Sequence, residues 1–191
     1  MKKNLCVFVL LFGCGLALFA QEAVQETAQT SELRPIDKRF VFGIGWSNIQ
    51  ATGDFWGTAD FGFLLYKNEK HGFNIRNSIM FDGGTLKSDG TEYGIYFFSN
   101  KLIMESMSHN NLFRYYSFLQ GGVGIYANEN KDFFSTPVAY NFGIGIGLDI
   151  FVEKNTSIFF DYTFLYNSLE NKLSFTESLH PKFTMGMRHF F

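Results

Sequence analysis

From Val138 to Ile150 the chain alternates for thirteen residues without a slip. Val138, Tyr140, Phe142, Ile144, Ile146, Leu148 and Ile150 fall on one side. Ala139, Asn141, Gly143, Gly145, Gly147 and Asp149 fall on the other. Successive side chains point to opposite faces only in a strand, so a strict period of two predicts a β-strand with one oily and one small or polar face. Strands in globular proteins usually run ~5–6 residues. At ~3.3 Å per residue and a tilt of ~40°, this one climbs about 33 Å, enough to cross the ~30 Å hydrocarbon core of a bilayer.

The same design recurs along the chain and predicts seven more strands. They are Arg39 to Ser47, Asp54 to Tyr66, Phe73 to Phe81, Tyr93 to Glu105, Leu112 to Tyr126, Ile158 to Tyr166 and Lys182 to Phe191. Phe40, Phe42, Ile44 and Trp46 alternate with Val41, Gly43 and Gly45. Ile158, Phe160, Tyr162, Phe164 and Tyr166 alternate with Asp161 and Thr163. Asn77 is a flaw on an otherwise apolar face. The connections Lys67 to Gly72, Ser106 to Asn111 and Glu153 to Ser157 are short and polar, whereas Asp82 to Glu92, Ala127 to Pro137 and Asn167 to Pro181 are long. Short turns on one side and long loops on the other are the layout of an up-and-down membrane barrel.

Composition decides which face turns outward. The chain of 191 residues holds 25 Phe and 19 Gly. Eight rows of Phe, Tyr, Ile and Leu would overfill an eight-stranded interior, which is only just wide enough for side chains. Glycines and isolated charges suit that confined space better. The oily rows are therefore expected to face lipid, where a closed barrel satisfies every backbone N–H and C=O without an edge. The aromatic content excludes disorder for the bulk of the chain. Lys+Arg 16 against Asp+Glu 18 speaks against a nucleic-acid partner.

Residues 1–20 read as a cleaved signal peptide: Lys2 and Lys3, the apolar run from Leu5, then small residues up to Ala20. Cys6 and Cys14 both lie there, so the mature chain would carry no disulfide. Leu11-Phe12-Gly13-Cys14 also fits a loose lipoprotein box, which would acylate Cys14. Residues 21–37 read as a flexible periplasmic lead-in, and 38–191 as the barrel. Export followed by a barrel points to the bacterial outer membrane.

In strand layout and in its last residues the chain resembles the small eight-stranded outer-membrane proteins, the class of OmpX, OmpW and the OmpA barrel domain. The end, Met185-Gly186-Met187-Arg188-His189-Phe190-Phe191, resembles the terminal signal read by the barrel-assembly machinery. Gly186 and Phe191 match it, and His189 stands where a hydrophobic residue is usual. The resemblance implies the assembly machinery, periplasmic chaperones and outer-membrane lipid as partners, and a monomer. Through its OmpW side it also implies room for a small apolar ligand.

The candidate functional residues line the lumen. Arg39, Arg76, Lys101, Arg114, Lys182 and Arg188 are expected to face inward, with Asp60, Glu105, Asp149 and Asp161. Their balance favours a paired plug, with a narrow polar pathway or small-solute conduit as the alternative reading of the same charges. The inward glycines leave space for large neighbours such as Tyr66, Tyr116 and Phe118. Loop-mediated binding, as in an adhesin, is a further reading, carried by Phe133 and Phe134. No cofactor, metal or catalytic group is expected. His71, His109 and His180 lack zinc spacing, and the acids Asp82, Asp89 and Glu92 lack that of a calcium loop. A lipid-modifying enzyme would need a base beside Ser117, and the His-x-Ser pair of the lipid A deacylases is missing.

Overall fold

The computed structural model describes residues 34–49, 55–88, 91–127, 138–167 and 179–191. The predicted signal peptide, Cys14 and the Phe133-Phe134 loop lie outside the described residues. The strands are β1 (Phe40–Ile49), β2 (Phe55–Asn68), β3 (Phe73–Ser88), β4 (Thr91–Met107), β5 (Phe113–Ala127), β6 (Val138–Glu153), β7 (Thr156–Asn167) and β8 (Leu179–Phe190). Each pairs antiparallel with its sequence neighbour, and β8 closes on β1, so the sheet is a closed all-antiparallel up-and-down barrel.

Its stagger can be read from the ladder. From Phe190 the pairing steps through Val41, Gly62, Ser78, Lys101, Gln120, Gly143 and Leu165, and returns to β8 at His180, ten residues away. A stagger of that size over eight strands implies a tilt of about 40° and an interior that side chains can fill. The turn after β2 closes through Gly72 and the turn after β4 through Asn111, at φ 65° and 57°. Glycine adopts that left-handed conformation freely, and Asn tolerates it better than most residues.

The alternation holds as expected, oily side out. Phe98, Phe142, Tyr140 and Ile44 stand exposed on the outer wall, while Asp60, Arg76, Lys101, Arg114, Asp149, Asp161 and Arg188 are buried inside. Four expectations change. Tyr66 faces out with its neighbour Leu65, because a bulge between Leu64 and Tyr66 shifts the register and breaks the parity. Arg39 also lies outside: it precedes the first ladder residue, and its guanidinium rests 5.4 Å over the Phe40 ring.

The third change is that two stretches expected as loops run on as strand; the β3–β4 hairpin continues well past Phe81. Gly83 pairs with Tyr96 and Ser88 with Thr91, so Asp82 belongs to a strand and points into the barrel. His180 likewise sits within β8, paired with Leu165, and not in a loop. The fourth is at the N-terminus. The last residues of the expected lead-in are docked: Pro35–Asp37 form a 3-10 turn whose Ile36 is fully buried against Val41, Met107, Phe151 and Phe190. This turn stoppers the end of the barrel that carries the short connections.

Candidate functional site

The inward residues form storeys. At the base, Asn74 and Arg76 on β3 hold the stopper. Asn74 Nδ2 donates to the Ile36 carbonyl at 3.0 Å and to Asp37 Oδ1 at 3.1 Å. The Arg76 guanidinium donates to the carbonyls of Ile36 and Lys38 at 2.9 and 3.0 Å. Arg34 and Lys67 reach Asp37 from outside the lumen, at 3.3 and 3.2 Å. Burial alone would push the Asp37 carboxyl up. The Asn74 hydrogen bond and the Arg34 and Lys67 contacts outweigh it and hold the carboxyl below its usual range.

Above the base runs a continuous ionic network. Arg76 Nε meets Glu105 Oε1 at 3.1 Å. Arg114 bonds Glu105 Oε2 through Nε at 2.8 Å and Asp149 Oδ2 through its terminal nitrogen at 2.6 Å. Arg188 then takes Asp149 Oδ1 at 3.0 Å, Asp60 Oδ2 at 3.2 Å and Asp161 Oδ2 at 3.3 Å. Lys101 Nζ reaches the same Asp161 oxygen at 2.9 Å and lies 4.4 Å over the Phe118 ring. The Tyr116 hydroxyl donates to Asp161 and accepts from Arg188. Four cations thus meet four carboxylates, and Arg188 also stacks 3.8 Å over Phe159. Charges so deep in a low-dielectric interior persist only when paired and hydrogen-bonded.

Two glycines make the room this network needs. A Cβ at Gly147 would collide with the Tyr116 ring, and one at Gly43 would collide with the Asp60 carboxylate. The space opened by missing side chains is filled by neighbouring ones. This is the accommodation expected of the inward glycines, and at these two positions no slot is left for an apolar guest.

The next storey is built of short uncharged polar groups. Ser47 and Thr184 hydrogen-bond at 2.9 Å, and Ser99 accepts from Asn141 Nδ2 at 3.0 Å. Higher still, Lys182 pairs with Asp82 at 2.8 Å beside the stacked rings of Trp56 and Phe97, 6.1 Å apart. Lys182 was legible as an inward charge; its partner Asp82 was not, since the sequence placed it in a loop.

Of the expected lumen charges, all but Arg39 face inward; Lys182 pairs apart with Asp82, and the rest join one network. Gly186 packs against the β1 backbone at Gly45, His189 faces out and meets Thr156 at 2.9 Å, and Phe191 is exposed beyond β8. Ser117 sits mid-strand on β5 opposite Met104 and Ile146, and His109 in the turn after β4, so the ladder does not make them neighbours.

Two solved structures share this architecture. Neisserial surface protein A is 11% identical, with 80% of this chain and 95% of that one covered at a TM-score of 0.54. The chain has the fold of the small eight-stranded outer-membrane barrels. The N-terminal β-barrel domain of OprF from Pseudomonas aeruginosa is 12% identical, with 81% and 98% covered and a TM-score of 0.52. No family model and no curated protein matches the chain.

Proposed function

We propose that this chain is an integral outer-membrane barrel with a plugged lumen, a structural membrane protein that meets other molecules at its rim and outer wall. The observation that carries this reading is the ion-paired network around Arg188. Each of the four cations between Arg76 and Lys101 has a carboxylate partner, and each of those carboxylates is claimed by at least one cation. Charges that serve permeation must exchange partners with a passing solute, and these are bound to one another. The oily outer wall, bounded by short turns and by a stoppered end, supports placement in a bilayer. Similarity to barrels of outer-membrane proteins supports the outer membrane as that bilayer. On this reading Gly186, His189 and Phe191 act as the assembly signal, and no catalytic step belongs to the barrel.

Planar-bilayer recording of the refolded chain tests the plug. Insertion without stable conductance is expected. Steady conductance that changes with Arg114→Ala would overturn the plug and favour the conduit. Placement in a membrane is tested separately by gel mobility: a compact band in detergent that shifts on boiling is expected of the folded barrel.

A further inference from the structure

The outer wall carries a reciprocal amide pair inside its oily band. Asn77 on β3 and Asn100 on β4 point outward and hydrogen-bond reciprocally. Asn77 Nδ2 donates to Asn100 Oδ1 at 2.8 Å, and Asn100 Nδ2 donates back to Asn77 Oδ1 at 3.0 Å. Asn77 lies four residues in from Phe73, and Asn100 seven in from Met107. At about 2.5 Å of climb per tilted residue, the pair sits ~10–18 Å above the short-turn end, near the middle of a ~25 Å apolar band. Ile79, Phe98, Leu102 and Leu119 surround it, all exposed.

A primary amide has two N–H donors and two acceptor lone pairs. The reciprocal pair uses one of each per residue, so two N–H groups and two lone pairs still face outward. Acyl chains offer neither donor nor acceptor, and a polar group left bare at that depth is costly. Lipid headgroups do not reach the midplane. The complement must therefore be a protein side chain at the same depth. The leftover donors and acceptors are equal in number, which makes the patch its own complement. Copies inserted in one direction are related by a two-fold axis along the membrane normal, and that operation keeps depth unchanged, amide against amide. Gly121 lies directly across the ladder from Asn100, and a Cβ there would meet nothing within 4 Å. Small residues of this kind let two membrane surfaces approach closely.

From these observations we propose that the β3–β5 face around Asn77 and Asn100 is a homodimer interface within the membrane, the second copy of this chain supplying the missing amide partners. This departs from the monomer that the resemblance implied, and it rests on the lipid-facing orientation of the wall.

The test is energy transfer between copies in phosphatidylcholine vesicles. Both cysteines of the sequence lie in residues 1–20, so the chain from Gln21 onward labelled at His71→Cys, in an exposed turn, carries dye at one site. Transfer should exceed random mixing and rise with the protein-to-lipid ratio. N77L/N100L should still give the compact, heat-shifted band and should need about tenfold more protein per lipid for the same transfer, since hydrogen bonds between side chains inside a membrane are individually weak. Gly121→Leu, which leaves the amides intact but fills the dent, should weaken transfer as well. Transfer at the level of random mixing in the native chain would overturn the dimer while leaving the barrel standing. So would folded variants that associate as the native chain does. A chain that stays monomeric and soluble in plain buffer would overturn the orientation and the dimer together.

Discussion

Arg114 and Asp149 are register partners across the β5–β6 ladder, and their side chains meet at 2.6 Å inside the barrel. Arg114 also holds Glu105, so it neutralises two carboxylates from two different strands. Arg114→Met should therefore cost about 3–5 kcal/mol, because it strands buried charge and does not merely delete a bond. Denaturant unfolding in detergent measures this. A loss below ~1 kcal/mol would mean that the network relaxes around the gap.

Gly147 and Tyr116 share one space. Gly147→Ala drives a Cβ into the phenol ring and should cost about 1–3 kcal/mol by overpacking. Combining it with Tyr116→Leu should cost less than the two single losses added together, by ~0.5 kcal/mol or more, as expected for residues in contact. Strict additivity in the double-mutant cycle would contradict the collision.

The stopper should respond to acid through Asp37. Its carboxyl is held below the usual range in the folded chain, so its ionised form favours the docked turn. That contribution is complete above the unfolded value of about 3.9 and is lost as pH falls through the lower folded value. Asp37→Asn should match the native chain in strong acid and fall behind it near neutral pH. Hydrogen exchange at the Lys38 amide, which donates to the Pro35 carbonyl at 3.1 Å, reports the docking directly.

Phe191 separates assembly from stability. Its ring is exposed and meets the outward His189 ring edge-on, centroids 4.8 Å apart, while its backbone bonds Phe40 in both directions. Phe191→Ala should leave the refolded barrel within ~0.5 kcal/mol of the native chain, as surface changes usually do. In cells, the amount of heat-shifted barrel in the membrane fraction should fall. Equal loss in both assays would assign Phe191 a packing role only.

Most of the barrel was legible because a period-two pattern fixes the face of each residue once a strand is recognised. Asp149, Asp161 and Arg188 were placed inward on that ground alone. The misses have separate physical causes. Tyr66 follows a bulge and Arg39 precedes the ladder, so parity counted along the chain fails at both. Asp82 was hidden by Gly83 and Gly84, which read as a turn but pair with β4. The docking of Ile36 left no periodic signal, since a single apolar residue beside a proline has no pattern. Asn77 stood out as a flaw, but Asn100, its partner, lies on the strand with the weakest alternation. Which cation meets which carboxylate depends on the stagger between strands, which no single strand encodes.

Ile36 and Phe190 share one buried apolar cluster, although nearly the whole described chain separates them. The ring cannot shut until the final strand has been delivered, because its first strand finds its second neighbour only there. A chain cut short by even that one element would present two naked margins of backbone and an unseated N-terminal turn. Closure is therefore a single late event that needs the whole barrel sequence, with no half-built form able to hold its place.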